Sequence, residues 1–322
     1  MHKLPSAAKL DALDPDALQQ FKREARFPMG VAAAAGSYLV AEGDSWFDYP
    51  IGTDIIDCLR AYHGYSISNY AKAGDTIENM AYGTNFSPLQ NYRPLPNDTQ
   101  DVLADITTNE PAAFLLSGGG NDVAGNEFGQ FLNHASSGKP LFRQDFAEYM
   151  INTVFRTAYS DLIDQVSAAR PGITIVSHGY GYPIPDGRGV GFGVGISFIG
   201  PWLRPALAAK RINSASDGPE IIENLMNMFN EMLDGLRHDH PNFRYIDLRR
   251  TIGRSQGAWA NELHVKNSIY KVIADKFHEA IQSGGPGFTP ASIKPARSRK
   301  KKGPSVRSSV RTSPTKSRRR AT

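Results

Sequence analysis

Apolar positions along this chain alternate between two periods. Short runs rich in β-branched and aromatic residues occur at 37–42 "SYLVAE", 65–70 "YSISNY", 112–117 "AAFLLS", 173–178 "ITIVSH" and 243–247 "FRYID", and they predict strands. Between them a helical period marks residues 53–62, 76–82, 99–108, 142–169, 218–237 and 268–282. In the last of these Ile269, Val272, Ile273, Phe277 and Ile281 fall on one face, with Asn267 or Ser268 placed to cap it. Strands separated by helices imply an α/β protein whose parallel sheet is covered on both faces. The ligand site of such a sheet lies beyond the carboxyl ends of its strands. That directs attention to residues 43–48, 71–75, 117–126, 178–190 and the stretch after 247.

Two segments break the pattern. Residues 179–200, "GYGYPIPDGRGVGFGVGISFIG", are too long for a tight connection and rich in Gly and aromatics, as expected of a loop that covers a substrate. Residues 284–322 hold Gly, Pro, Ser, Lys and Arg with almost nothing to bury, and are expected to be disordered. The chain therefore divides into an N-terminal helical extension over 1–30, a body over 31–283 and a basic tail over 284–322.

Charge sets the tail apart further. The whole chain carries +4, but 12 of its 36 Lys and Arg lie between Lys294 and Thr322 without an acid, leaving 24 against 32 acids elsewhere, a body of about −8. From Lys294 on, the tail has no aromatic residue to stack on bases, so contact with nucleic acid or an anionic membrane is expected to be electrostatic and nonspecific. No apolar run approaches the roughly 20 residues of a membrane span. The N-terminus is charged throughout and has no apolar core of a signal peptide, so the expected location is the cytoplasm, with export by a route that needs no cleaved signal left open. One cysteine, Cys58, excludes an intrachain disulfide and an all-cysteine metal site. His238-Asp239-His240 stands at a predicted helix end, where basic residues favour the dipole, rather than as a metal cluster.

Residue types at the strand ends suit acyl transfer. Gly43-Asp44-Ser45 follows the first strand, Gly74 precedes a helix start at Asp75 or Thr76, Gly118–Gly120 with Asn121-Asp122 follows the third strand, and His264 in "WANELHVKNS" precedes the last helix. A serine hydroxyl becomes a nucleophile only when a neighbouring imidazole accepts its proton, and His264 is the candidate base. The oxygen of a tetrahedral intermediate needs donors already in place; backbone N–H groups of Ser45 and Gly74 and the Asn121 amide are candidates. Singly, each feature is as readily a capping turn, a turn glycine or a surface histidine. Asp44 and Trp46 beside the serine, and His178, Tyr180 and Trp202, are candidate substrate contacts, although the aromatic residues equally suit packing the loop down.

"GDSW" at Ser45, Gly74, "GGND" at Asn121 and His264 near the C-terminus together resemble the four blocks of the SGNH, or GDSL-type, hydrolases, over about residues 37–282. The resemblance implies a three-layer α/β/α sandwich with a flavodoxin-like parallel sheet of about five strands. It also implies hydrolysis of small-molecule esters through an acyl-enzyme, without metal or cofactor. By that likeness Ser45 is the nucleophile, His264 the base, and Ser45, Gly74 and Asn121 the oxyanion hole. One position departs: where the family places Asp three residues before the histidine, this chain has Asn261. Its carbonyl, Glu262 next to it, or a backbone carbonyl is then left to orient the imidazole. A noncatalytic binding protein on the same fold, tethered by its basic tail, is the rival reading.

Overall fold

The computed structural model describes residues 4–26, 38–87, 93–94, 98–191 and 197–283; the expected tail, 284–322, lies outside them. Their strands are β1 (Tyr38–Gly43), β2 (Ser66–Asn69), β3 (Phe86–Ser87), β4 (Arg93–Pro94), β5 (Ala113–Ser117), β6 (Thr174–His178), β7 (Val190–Gly191), β8 (Ser197–Ile199) and β9 (Phe243–Ile246). Five of them form one sheet in the order β2-β1-β5-β6-β9, parallel throughout, with Leu39 opposite both Ile67 and Ala113. The two remaining pairs, β3-β4 and β7-β8, are short antiparallel ribbons. All five predicted strands are present, each within a residue or two of its expected limits.

The helices are α1 (Ala7–Leu10), α2 (Pro15–Arg26), α3 (Ile55–His63), α4 (Ile77–Tyr82), α5 (Thr99–Asn109), α6 (Gln144–Tyr149), α7 (Arg156–Ala169), α8 (Arg204–Ala209), α9 (Asp217–Asp239) and α10 (Asn267–Gln282). α3 and α10 pack together in one layer, and α4, α5 and α9 gather around α7 in the other, completing the α/β/α sandwich. Strands β1 and β5 are apolar along nearly their whole length because both faces are covered. The N-terminal helices lie against the α3–α10 layer, where Leu10, Phe21 and Ala25 bury on Ala61.

Two helices differ from their sequence patterns. The stretch read as one helix over 142–169 is α6, a π-helical turn at Met150–Phe155, then α7. Its buried positions Ala147, Ile151, Phe155 and Tyr159 recur every fourth residue, a spacing that drifts around an α-helix and that a wider turn brings back to one side. In α10 the buried face is Tyr270, Ile273, Ala274, Phe277 and Ala280, so Val272 stands 39 % exposed. Neither expected residue caps α10: Asp11 accepts the Ser268 N–H at 3.0 Å, and the Asn267 oxygen instead accepts the Thr53 N–H at 3.0 Å.

The sheet order places the site. From β1 the chain runs outward to β2, then returns across β1 to continue at β5 on its other side. Connections leave β1 and β5 in opposite directions, and a crevice opens between their carboxyl ends. Ser45 follows β1 and Asn121 follows β5.

Candidate active site

Beyond Gly43 the chain turns sharply, with Asp44 O accepting the N–H of Phe47 at 3.0 Å and of Asp48 at 3.1 Å. The Asp44 carboxylate, 1 % exposed, holds this turn from inside. It accepts the Trp46 N–H at 2.9 Å, the Ser117 hydroxyl at 2.7 Å and the Tyr180 hydroxyl at 2.6 Å. Three donors from three segments compensate the burial of the charge. They leave Ser45, the next residue, raised at the rim of the sheet.

His264 arrives there from 219 residues away. Its Nε2 lies 2.8 Å from Ser45 Oγ and its Nδ1 lies 3.0 Å from Asn261 Oδ1. The orientation of the Asn261 amide follows from its other partners. Oδ1 also accepts the backbone N–H groups of Leu263 at 3.0 Å and His264 at 2.9 Å, while Nδ2 donates to Tyr49 Oη at 3.1 Å. Turning the amide over would set its NH2 against two N–H donors. Oδ1 therefore faces the imidazole, Nδ1 carries the proton, and Nε2 is free to accept one from Ser45. Tyr49 also stacks on the His264 ring, centroids 4.2 Å apart and planes 15° apart, and Trp202 meets it edge-on at 5.7 Å.

Both Asn261 and His264 are nearly closed to solvent, at 2 % and 4 % exposed. With no charged partner against the ring, burial pushes the His264 imidazole down from its ordinary 6.5 to about 3. Burial likewise raises the Tyr49 phenol to about 12, so it stays neutral.

Gly74 has φ +93°, and a Cβ there would meet no atom within 4 Å; the glycine is required by its backbone conformation, and the space over it is open. Its turn is fixed on both sides. Asn121 Nδ2 donates to Asp75 O at 2.8 Å, and the Asp122 carboxylate accepts the Ile77 N–H at the start of α4 at 3.0 Å, with burial holding that carboxyl up at about 7. The Asn121 amide thus bridges the loop after β5 to the turn that carries Gly74. Gly119 serves packing, since a Cβ there would meet Phe229 at 2.3 Å.

One of the alternatives for orienting His264 falls away, and one expected pocket residue needs correction. Glu262 does not face His264. It is fully buried and turned the other way, where Oε1 accepts the N–H of Gly187 at 2.9 Å and of Arg204 at 3.1 Å, and Oε2 those of Trp202 at 2.6 Å and Leu203 at 2.7 Å. It ties Gly187 within the Gly-rich loop, and residues 202–204 just after that loop, to the segment bearing His264. His178 does not line the pocket beside Ser45. It is fully buried beneath the turn, under the Trp46 indole at 5.1 Å, with Nδ1 2.9 Å from Gly179 O and Nε2 2.9 Å from Ser117 Oγ. Ser117, His178 and Asp44 thus form a Ser–His–Asp contact set apart from the Ser45–His264 pair. Its aspartate binds the serine rather than the histidine, and its serine and histidine are fully closed to solvent. Asp44, Trp46 and Tyr180 do line the pocket, and Trp202 stands beside His264.

Glu262→Gln is expected to destabilise the fold by about 2–4 kcal/mol, because an NH2 would then confront two of the four backbone donors. Equilibrium denaturant unfolding measures the loss. A fall in kcat/KM should accompany it as Trp202 loses its anchor. An unchanged midpoint and unchanged turnover would remove the anchoring role.

Among the described residues no group of His, Cys, Asp and Glu is arranged to hold a metal ion, and no helix is long and apolar enough to cross a membrane. Cys58 is buried in α3. Asp239 pairs with Arg156, and His240 lies 3.3 Å from Asp164.

The fold and the rim geometry together define an α/β/α sandwich presenting a half-buried serine against a buried histidine at its topological switch point. No family model and no curated protein matches the sequence. Solved structures with a similar chain path include lipases and esterases. The lipase Lip_vut3 from goat rumen metagenome is 12 % identical, with 76 % of this chain and 96 % of that one covered at a TM-score of 0.46. An extracellular lipase from Streptomyces rimosus is 15 % identical (74 % and 99 % covered, TM-score 0.41), and a family 3 carbohydrate esterase from Clostridium thermocellum 16 % (75 % and 93 %, 0.40). These are likenesses of chain path alone and carry no residue roles to this chain.

Proposed function

We propose that this protein is a serine esterase of the SGNH type. The observation that carries the reading is the 2.8 Å contact between Ser45 Oγ and His264 Nε2, with Nδ1 held by an acceptor whose orientation is fixed. Ser45 Oγ attacks the ester carbonyl carbon as His264 Nε2 takes its proton. The backbone N–H groups of Ser45 and Gly74 and the Asn121 amide receive the oxyanion. The intermediate collapses, the C–O bond to the alcohol breaks, and the imidazolium gives its proton to the departing oxygen. Water then attacks the acyl-Ser45 ester, with His264 again taking and returning the proton.

Asn261 acts as a positioning residue, and Tyr49 as the group that holds it. In the serine-protease triad, Asp to Asn costs about 10⁴ in rate because the imidazole takes the wrong tautomer. Here two backbone donors prevent that tautomer, and what is forgone is the charge that would stabilise the imidazolium.

The test is hydrolysis of p-nitrophenyl acetate together with covalent labelling by a fluorophosphonate, in which Ser45 Oγ displaces fluoride from phosphorus. Turnover and labelling at Ser45, both lost in Ser45→Ala, support the enzyme. Neither in a folded wild-type protein favours a binding protein on the same fold.

The basic residues of 294–322 support a second role, attraction to polyanions. Full-length protein is expected to bind duplex DNA and anionic vesicles with an affinity that falls steeply as salt rises, and a chain ending at residue 290 to lose most of that binding. Equal binding by both forms would show that the tail is not responsible.

A further inference from the structure

Tyr49 carries the His264 ring on its face and the Asn261 amide on its hydroxyl, so whatever fixes Tyr49 fixes the base. It stands in residues 44–54, a stretch between β1 and α3 with neither strand nor helix to hold it. Both polar groups of its backbone are held by side chains instead. Its N–H donates to Asp54 Oδ2 at 3.2 Å, and its carbonyl accepts from Lys22 Nζ at 2.6 Å. Lys22 also donates to Gly52 O at 3.0 Å and pairs with Asp57 Oδ2 at 3.2 Å, with Asp54 Oδ2 at 3.9 Å. The ammonium arrives from α2, 27 residues earlier, in the N-terminal extension.

Stability alone does not call for this cluster. Asp54 caps α3 through the Asp57 N–H and needs no lysine to do so. Both carboxylates are buried; burial raises both, the Asp57 charge raises Asp54 further, and Lys22 opposes both. Charges buried together are often matched in stability by well-packed apolar side chains. What apolar side chains cannot supply is a donor to two carbonyls of the stretch that bears Tyr49. The same extension also grips the start of α10, just after His264. There Leu10 O accepts the Asn267 amide at 3.2 Å and Asp11 accepts the Ser268 N–H, while Asn267 Oδ1 accepts the Thr53 N–H. The segments bearing Tyr49 and His264 are thus bound to one N-terminal piece. We propose that Lys22 is a positioning residue of the esterase site: by clamping the Tyr49 backbone it keeps the His264 imidazole aimed at Ser45, and the N-terminal extension is a working part of the site. Its consequence for turnover rests on Ser45 and His264 being nucleophile and base; its effect on the imidazole rests on the geometry alone.

Lys22→Met keeps a side chain of similar length and removes the donor. With p-nitrophenyl acetate, kcat is expected to fall about tenfold to a hundredfold, the scale of loss when a reacting group is misplaced by about an ångström. KM should change by less than about twofold, because Tyr49 lines no part of the pocket beside Ser45. In a Tyr49→Ala background the same substitution should cost less than about twofold, since the group it acts through is gone. The proton NMR signal of His264 Nδ1–H, held by Asn261 Oδ1, is expected to be sharp in the wild type and broadened in Lys22→Met. Should that variant fail to fold, Lys22→Met with Asp57→Leu removes the stranded carboxylate as well and is read in the same way. An unchanged kcat, or an unchanged Nδ1–H signal, in a folded variant overturns the clamp. So does an equal loss in the Tyr49→Ala background, the mark of a general loosening of the fold. Folded wild-type protein that neither turns over nor takes fluorophosphonate discards Ser45 and His264 as catalytic groups, and the NMR signal then decides by itself whether Lys22 holds the imidazole.

Discussion

Ser45→Ala and His264→Ala are each expected to lower kcat/KM for a small ester by about 10⁴-fold or more, and the double variant to fall little further. Groups that act as one unit are not additive: without the hydroxyl there is no proton for the imidazole to take, and without the imidazole the hydroxyl stays protonated. Independent contributions would multiply instead. The control is Ser117→Ala. Ser117 also contacts a histidine and an aspartate, but it is fully closed to solvent, and its loss removes hydrogen bonds to Asp44 and His178 rather than a nucleophile. That variant should be less stable, by about 1–3 kcal/mol, while fluorophosphonate still labels Ser45. Labelling and turnover that follow Ser117 rather than Ser45 would exchange the roles of the two sets.

The five sheet strands were legible because a strand buried on both faces announces itself as a short apolar run, and "YLVAEG" and "AFLLS" are such runs. The sheet order follows less directly, but residues at successive strand ends share one rim in any parallel sheet, which is why Ser45, Gly74, Asn121 and His264 could be grouped without coordinates. What failed was side-chain direction. Glu262 adjoins Asn261 in sequence, yet the chain bends through 260–263 and the two side chains leave it in different directions, so only one of them meets the imidazole. His178 ends its strand where the Gly-rich loop begins, but the last side chain of β6 points beneath the turn. Tyr49 gave no signal: its partners Asn261 and His264 lie more than 200 residues ahead, and an aromatic after "GDSWFD" reads simply as core. The π-turn in 150–155 was likewise hidden, since a spacing of four looks helical over any single turn.

Asn261→Asp is expected to move the acid limb of the pH profile upward by about two units and to raise kcat about tenfold near neutrality. The groups facing His264 are Ser45, Tyr49, Trp202 and Asn261, and among them only Tyr49 titrates, far above the working range. The wild-type imidazole is thus held neutral by burial, with a pKa of about 3, and activity that needs the neutral base should persist well below pH 5. A carboxylate at 261 is well provided for, because the Leu263 and His264 N–H groups already point there and the Tyr49 hydroxyl can turn to donate. Its charge stabilises the imidazolium, so the proton is held to higher pH in the free enzyme and more easily accepted in the transition state. Stability carries the same sign test. A histidine whose folded pKa lies below its unfolded 6.5 makes the unfolded chain the better proton acceptor between those values. Wild-type stability is then full above pH 6.5 and declines as the pH falls below it, and the variant should decline over a narrower window. A variant whose acid limb does not move, or whose turnover drops steeply, would show that position 261 does not orient the base through an acceptor oxygen.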